Sequence, residues 1–303
     1  MAMIDLHMHS IISTDGELEP EQVIVLAAQR GLQAVALTDH NSVRGVARAC
    51  AQAEKLGLLM AKGVELDCCL GSRNLHLLAY NIDENAPIFA QIEEEILDQE
   101  RRCSGRRMEI FHQMGLKFDD SRVCASNPYG LAVAEDIARE ALNEPANQGC
   151  ELLRPYRPGG ERSDNPYVNF YWDFASQGKP AYLEVRYRSF EELNKAMLDM
   201  GGVTVIAHPG ATVGRNEEAI LHMVGCGVSG LEVFSSYHSA EQRAYYADLA
   251  RRLDIAATAG SDFHGKSKPG LMPGDTGCGP EQERAVIAAA EAAGIFGGRG
   301  GAR

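Results

Sequence analysis

The stretch Ala34-Val-Ala-Leu-Thr-Asp-His-Asn41 runs four apolar residues straight into a polar cluster. An uninterrupted apolar run reads as a strand buried on both faces, and such strands belong to parallel sheets covered by helices. Its neighbours agree. Pro20-Glu21 opens a helix carrying Val23, Ile24, Leu26 and Ala27 that stops at Gly31, and a helix over about 43–56 is closed by Gly57. Residues 3–8, 58–65 and 75–80 read as further strands.

The rhythm breaks after residue 85. A long charged helix is expected over 88–114 and another over 131–142, followed by a Pro-, Gly- and Arg-rich loop over 143–166. From Phe190 the alternation returns, with helices at 190–200, 217–224 and 240–253 among strands at 203–206, 230–234 and 255–259. The expected organisation is an α/β barrel in two pieces, 1–85 and 190–285, around a mainly helical insertion at 86–189. A terminal helix and a disordered Gly-rich tail are expected over 286–303. Polar clusters fall at strand ends on both sides of the insertion, and a closed barrel brings such ends together.

The chain has 303 residues, 45% apolar and 23% charged, which is ordinary for a globular protein with a sizeable core. Lys and Arg number 29 against 42 Asp and Glu, a net charge of −13. That argues against a duplex nucleic-acid surface, although bound cations would reverse the local field for a small phosphate. The eight cysteines contain no C-x-x-C pair, and adjacent Cys68-Cys69 cannot form an ordinary disulfide framework. With no basic leader and no long apolar run, the expectation is a cytoplasmic protein with reduced thiols and no membrane contact.

Six of the nine histidines stand beside an acid, a second His or a turn residue at the end of an apolar run. In Asp5-Leu-His7-Met-His9 the two rings are two residues apart on a strand, so both face the same way. Asp15 follows in a Ser-Thr-Asp-Gly turn, which is equally an ordinary turn. Asp39 and His40 end the second strand, where Asp39 or Asn41 is also a candidate helix cap. Glu65, His76, His208, Asp262 and His264 complete the pattern, each with a salt-bridge or core alternative. Together they are the residue types that hold several divalent ions at strand ends.

D-L-H-x-H-S with S-T-D-G, A-L-T-D-H-N, G-V-E, the His76 strand, A-H-P-G and G-S-D-F-H-G, in this order and spacing, resemble the polymerase-and-histidinol-phosphatase (PHP) family of metal-dependent phosphoesterases. The motifs cover residues 3–83 and 190–270. The resemblance implies a distorted (β/α)7 barrel and three divalent ions, manganese first, with iron or zinc compatible. It implies that His7, His9, Glu65 and Asp262 hold one ion. Glu65 would bridge to a second, shared with His76 and His208, and Asp15, His40 and His264 would hold the third. The insertion resembles the helical subdomain of stand-alone members acting on nucleotides or related small phosphates, rather than the histidinol-phosphatase branch.

Such ions lower the pKa of bound water from about 16 toward about 7 and clamp phosphoryl oxygens. Glu65, Asp262 and His264 are the candidate catalytic residues, Glu65 as the bridge and Asp262 or His264 for the proton. Arg139 on an insertion helix, Arg215 seven residues after His208, and His238 are candidate phosphate binders, each with a surface or core alternative. Lys266 and Lys268 read as solvent-exposed, and the aromatics of 165–172 as insertion core first and base-stacking groups second. The expected substrate is a small phosphorylated metabolite, either a nucleoside 3′,5′-bisphosphate or a cyclic ribose phosphate; a short 5′-phosphorylated oligonucleotide is a further alternative. A metal-dependent amidohydrolase also starts with H-x-H, but its sites commonly bridge through a carboxylated lysine where this chain has Glu65. A non-catalytic scaffold would be expected to have lost ligands.

Overall fold

Seven strands pair in chain order: β1 (Ile4–Asp5), β2 (Ala34–Leu37), β3 (Leu59–Leu70), β4 (Arg73–Tyr80), β5 (Val203–Ile206), β6 (Gly230–Ser235) and β7 (Ala256–Gly260). The structure is a computed structural model and describes residues 4–297. The Met3 end of the first strand and residues 298–303 of the tail lie outside the described residues. The sheet comes close to closing into a barrel. Leu6 N donates to Ala259 O, Asp262 N to His7 O and His9 N to Phe263 O, each at 2.8 Å, joining the end of β7 to the extension of β1. Gly260 makes this approach possible, since a Cβ there would lie 2.2 Å from both His7 Cβ and Glu232 Oε1.

The sheet is mixed, which corrects the expectation of parallel strands throughout. β4 is antiparallel to both β3 and β5, while the other pairs are parallel. The reason is the connection: Leu70 pairs with Arg73, so only Gly71 and Ser72 make the turn, and Gly71 takes a φ of 61°. Two residues can join only antiparallel strands. It follows that β3 does not stop at Glu65 but runs five residues further, to Leu70. Glu65 therefore stands in mid-strand.

Helices cover the barrel: α1 (Pro20–Gln29) and α2 (Val46–Leu56) early in the chain. Later come α7 (Phe190–Asp199), α8 (Glu217–Gly225), α9 (Ala240–Leu253) and α10 (Pro280–Ala292). The main core includes Leu6, Val64, Leu66, Leu77, Phe190, Val205, Leu231 and Tyr246, all nearly or fully buried. Tyr80 is also fully buried and donates its hydroxyl to Leu6 O at 2.8 Å, tying β4 to the segment after β1, three strands away in the sheet. Between β4 and α7 lie α3 (Pro87–Gln113), α4 (Asp120–Ala125), α5 (Ala134–Asn143) and α6 (Pro166–Phe174). These helices and the segments joining them form a separate cluster that includes Phe111, Leu116, Ile137, Leu153 and Phe170. Among the described residues no helix is long and apolar enough to cross a membrane.

Candidate metal centre

His7 and His9 lie just beyond β1, where alternation still holds. Met8 between them is buried in the apolar cluster under α1 and α2 and bridges to Phe263, while both rings turn the other way. His7 Nε2 stands 3.0 Å from Glu65 Oε2 and 3.3 Å from Asp262 Oδ1. His9 Nε2 stands 3.2 Å and 3.0 Å from the same two oxygens. All four atoms are buried, and none has a hydrogen-bond partner. Orphaned buried groups of this kind are costly, and two imidazole nitrogens with two carboxylate oxygens at one point are a divalent-cation donor set.

Glu65 extends the site with its other oxygen. Oε1 lies 2.8 Å from His76 Nδ1 and 3.0 Å from His208 Nε2. The loop after β2 runs beside β3, with Asn41 N on Glu65 O at 2.7 Å, which brings His40 Nδ1 to 3.3 Å from Glu65 Oε2. His264 Nε2 meets Asp15 Oδ2 at 3.2 Å, and its ring stacks on His9 with centroids 3.9 Å apart. Burial opposes the charge on Glu65, but His7, His40 and His76 hold its carboxyl well below the usual range. His9 is pushed down to about 4 by burial, then by His264 and His40, so its ring is neutral at physiological pH.

The structure thus brings together all nine metal candidates: His7, His9, Asp15, His40, Glu65, His76, His208, Asp262 and His264. It adds Asp67, whose Oδ1 lies 3.5 Å from His40 Nδ1 and 3.3 Å from His76 Nε2. Glu65-Leu-Asp67 is an i, i+2 pair on one face of β3, a signal present in the sequence.

Further hydrogen bonds orient these candidate ligands. Glu232 Oε1 accepts from His7 Nδ1 at 2.9 Å and its Oε2 from His208 N at 2.7 Å. The register of β6 against β7 shifts between Glu232 and Phe234, a bulge beside this side chain. Ser13 Oγ joins His9 Nδ1 at 3.0 Å, His40 N at 2.9 Å and Asp39 Oδ1 at 3.0 Å. Asp39 also takes Ser10 N and Oγ, so it is no helix cap; α2 starts later, behind Gly45. Asp5 accepts from His7 N, Ser261 N and Gly274 N, and burial pushes its carboxyl up to about 6. Asn41, His208 and Asp262 adopt positive φ of 56°, 21° and 59°, and the bond from His208 N to Glu232 holds the second of these strained backbones in place.

None of the three phosphate-binding candidates lines the cleft described below. Arg215 is exposed, bonded to Glu241 and stacked on Tyr245. Arg139 is bound to Asp136 at 2.6 Å, outside the cleft lining. Both nitrogens of His238 are used, Nδ1 on Val233 O and Nε2 by Gly210 N. Arg215→Ala is therefore expected to leave kcat/KM within about twofold of the parent in a phosphate-release assay. A tenfold loss would return Arg215 to the substrate site. Lys268, expected at the surface, is buried beside Asp262, and Lys266 is half-buried with its ammonium on Ser126 O.

The cleft over this cluster holds about 160 Å³ and is walled by barrel residues and by Leu97, Arg107, Glu135, Tyr171 and Trp172 of the helical segment. Burial, then the charge of Asp15, pushes Glu135 up to about 8. A larger chamber of about 550 Å³ shares His76, Arg107, Tyr171, Trp172 and Tyr187 with it and adds Arg73, Lys179 and Tyr182.

The PHP domain model matches residues 5–141. A 3′,5′-nucleoside bisphosphate phosphatase of Chromobacterium violaceum is 32% identical over 280 residues, 91% of this chain and 92% of its own. The chain belongs to the PHP family. A second relative of this PHP protein, a phosphoribosyl 1,2-cyclic phosphate 1,2-diphosphodiesterase of Eggerthella lenta, is 27% identical over 86% of this chain and 94% of its own. A 5′-3′ exoribonuclease of Haemophilus influenzae is 25% identical over 86% of this chain and 89% of its own. Among solved structures, a C. violaceum protein named an amidohydrolase, with bound sulfate and no metal, superposes with a TM-score of 0.72 at 28% identity, over 95% of this chain and 97% of its own. A Bifidobacterium adolescentis protein assigned as a metal-dependent phosphoesterase gives the same TM-score at 25% identity, over 94% and 95%. This PHP protein is accordingly a metal-dependent phosphoesterase, with a His, Asp and Glu cluster of the kind that function needs.

Proposed function

We propose that the chain removes a phosphate from a nucleoside 3′,5′-bisphosphate, using three divalent ions, manganese first. One ion would lie among His7, His9, Glu65 and Asp262, and one among Glu65, His76 and His208. The third would be held by Asp15, His40 and His264, with Asp67 and His9 in reach. When bound, these ions supply a hydroxide nucleophile at neutral pH and charge stabilisation of the phosphoryl group. Glu65 holds two ligand clusters together, and Asp262 or His264 handles the proton.

The observation that carries the reading is the convergence of orphaned ligand atoms at the foot of a cleft that opens into an aromatic chamber. Tyr171, Trp172, Tyr182 and Tyr187 suit a nucleoside, and Arg73 and Lys179 suit its second phosphate. The helical segment at 86–189 acts as the cap that supplies much of this wall. A cyclic ribose phosphate fits the same ions but leaves the aromatic chamber unexplained. The net charge of −13 disfavours a long RNA. The free cysteines fit a reducing cytoplasm.

The test is phosphate release by manganese-loaded protein. The panel comprises nucleoside 3′,5′-bisphosphates, 5′-phosphorylated oligonucleotides, cyclic ribose phosphates and N-acyl amino acids. Preferred turnover of a bisphosphate, absent in Asp15→Ala/His40→Ala, is the expected result. Hydrolysis of the amides alone would overturn it.

A further inference from the structure

Recognising a phosphoryl group takes donors besides the ions, and the arginines legible in the sequence are engaged elsewhere. Two cationic side chains stand on the cleft wall among the described residues. Arg107, on α3, uses Nη1 for Glu100 at 2.9 Å and for Ala132 O at 2.7 Å, which ties it to the helical side of the wall. The other is Lys268, 4% exposed, in the segment that follows the metal loop after β7. Its ammonium bonds Asp262 Oδ2 and, at 3.1 Å, the Asp262 carbonyl, and stands 4.7 Å from the centroid of the Tyr237 ring. Tyr237 is itself on the cleft wall, with its ring 5.1 Å from that of His208.

The two oxygens of Asp262 have different partners. Oδ1 faces His7 and His9 without a hydrogen bond, whereas Oδ2 is the one on Lys268. An ion taking Oδ1 therefore leaves the ammonium where it is. It also draws off the negative charge that compensates a buried cation, and an uncompensated buried charge is costly. An arriving phosphoryl group brings negative charge back to that point of the wall. We propose that Lys268, aimed by Asp262 and Tyr237, binds a non-bridging oxygen of the substrate's phosphoryl group; the proposal rests on the phosphoesterase reading above.

The experiment is calorimetric titration of inorganic phosphate into the manganese-loaded parent, Lys268→Met and Lys268→Arg. Ion content is measured on each, and turnover is followed in parallel. In Lys268→Met the phosphate Kd and the KM are expected to rise about tenfold or more with ion content at the parent level, and Lys268→Arg recovers part of both. If Lys268→Met fails to fold, as judged by near-ultraviolet circular dichroism, Lys268→Gln carries the same comparison. Unchanged phosphate affinity would overturn the proposal. So would loss of ions together with phosphate in every variant, since Lys268 would then only hold Asp262. A parent that binds phosphate through Lys268 yet hydrolyses no ester would instead sink the phosphoesterase reading and leave this assignment standing.

Discussion

Glu65→Gln is expected to lower kcat/KM by about a thousandfold or more at saturating manganese, because charge stabilisation by metal ions supplies several kcal/mol. The variant keeps the shape of the side chain but loses its charge and one ligand oxygen. The two oxygens of Glu65 face different sets of imidazoles, His7, His9 and His40 on one side and His76 and His208 on the other. Removing its charge therefore disturbs two clusters at once, and the ion content per chain, read by inductively coupled plasma mass spectrometry, should fall with the rate. A Gln variant with full ion content and activity within tenfold would show that Glu65 is not the bridge.

Glu232→Gln is expected to weaken metal binding by about 10–100-fold, with activity restored in part by excess manganese. The argument rests on counting acceptors. Glu232 receives two N–H groups, from the His7 ring and the His208 backbone, and a carboxylate offers an acceptor to each. A carboxamide offers one oxygen and one NH2, so one of those donors meets another donor. Either His7 loses the bond that turns its Nε2 toward the ligand cluster, or His208 loses the bond that fixes its strained backbone. Manganese titration of both proteins, followed by activity and by thermal stability, would check this. Equal metal affinity would mean that Glu232 only fills the core.

The clustered His, Asp and Glu residues were legible because the features that betray them are local. A histidine beside an acid at the end of an apolar run, as in Thr38-Asp39-His40 or Ser261-Asp262-Phe263-His264, is a pattern of adjacent residues. The antiparallel hairpin of β3 and β4 was legible as well, through Gly71-Ser72, but a strand ending at Glu65 was the simpler reading of an apolar run that turns polar. The phosphate-binding candidates were judged by residue type and nearness in sequence. Arg215 is close to His208 along the chain, yet its guanidinium meets Glu241 at the surface. Lys268 looked exposed because its neighbours are Gly, Lys, Ser and Pro, whereas the metal loop folds it back onto Asp262.

The amino-acid sequence by itself determined which residue types could bind metal, the order of the strands that present them and the family to which the chain belongs. These depend on side-chain chemistry and on spacing over a few residues. Only the tertiary structure decided that Glu232 sets the ring of His7, 225 residues away, that Asp67 joins His40 and His76, and that Lys268 faces the cleft. Those roles arise where barrel closure brings distant backbone segments within hydrogen-bond distance. No local periodicity records which buried carboxylate will lie beside which imidazole, because packing and desolvation across the whole barrel choose the pair.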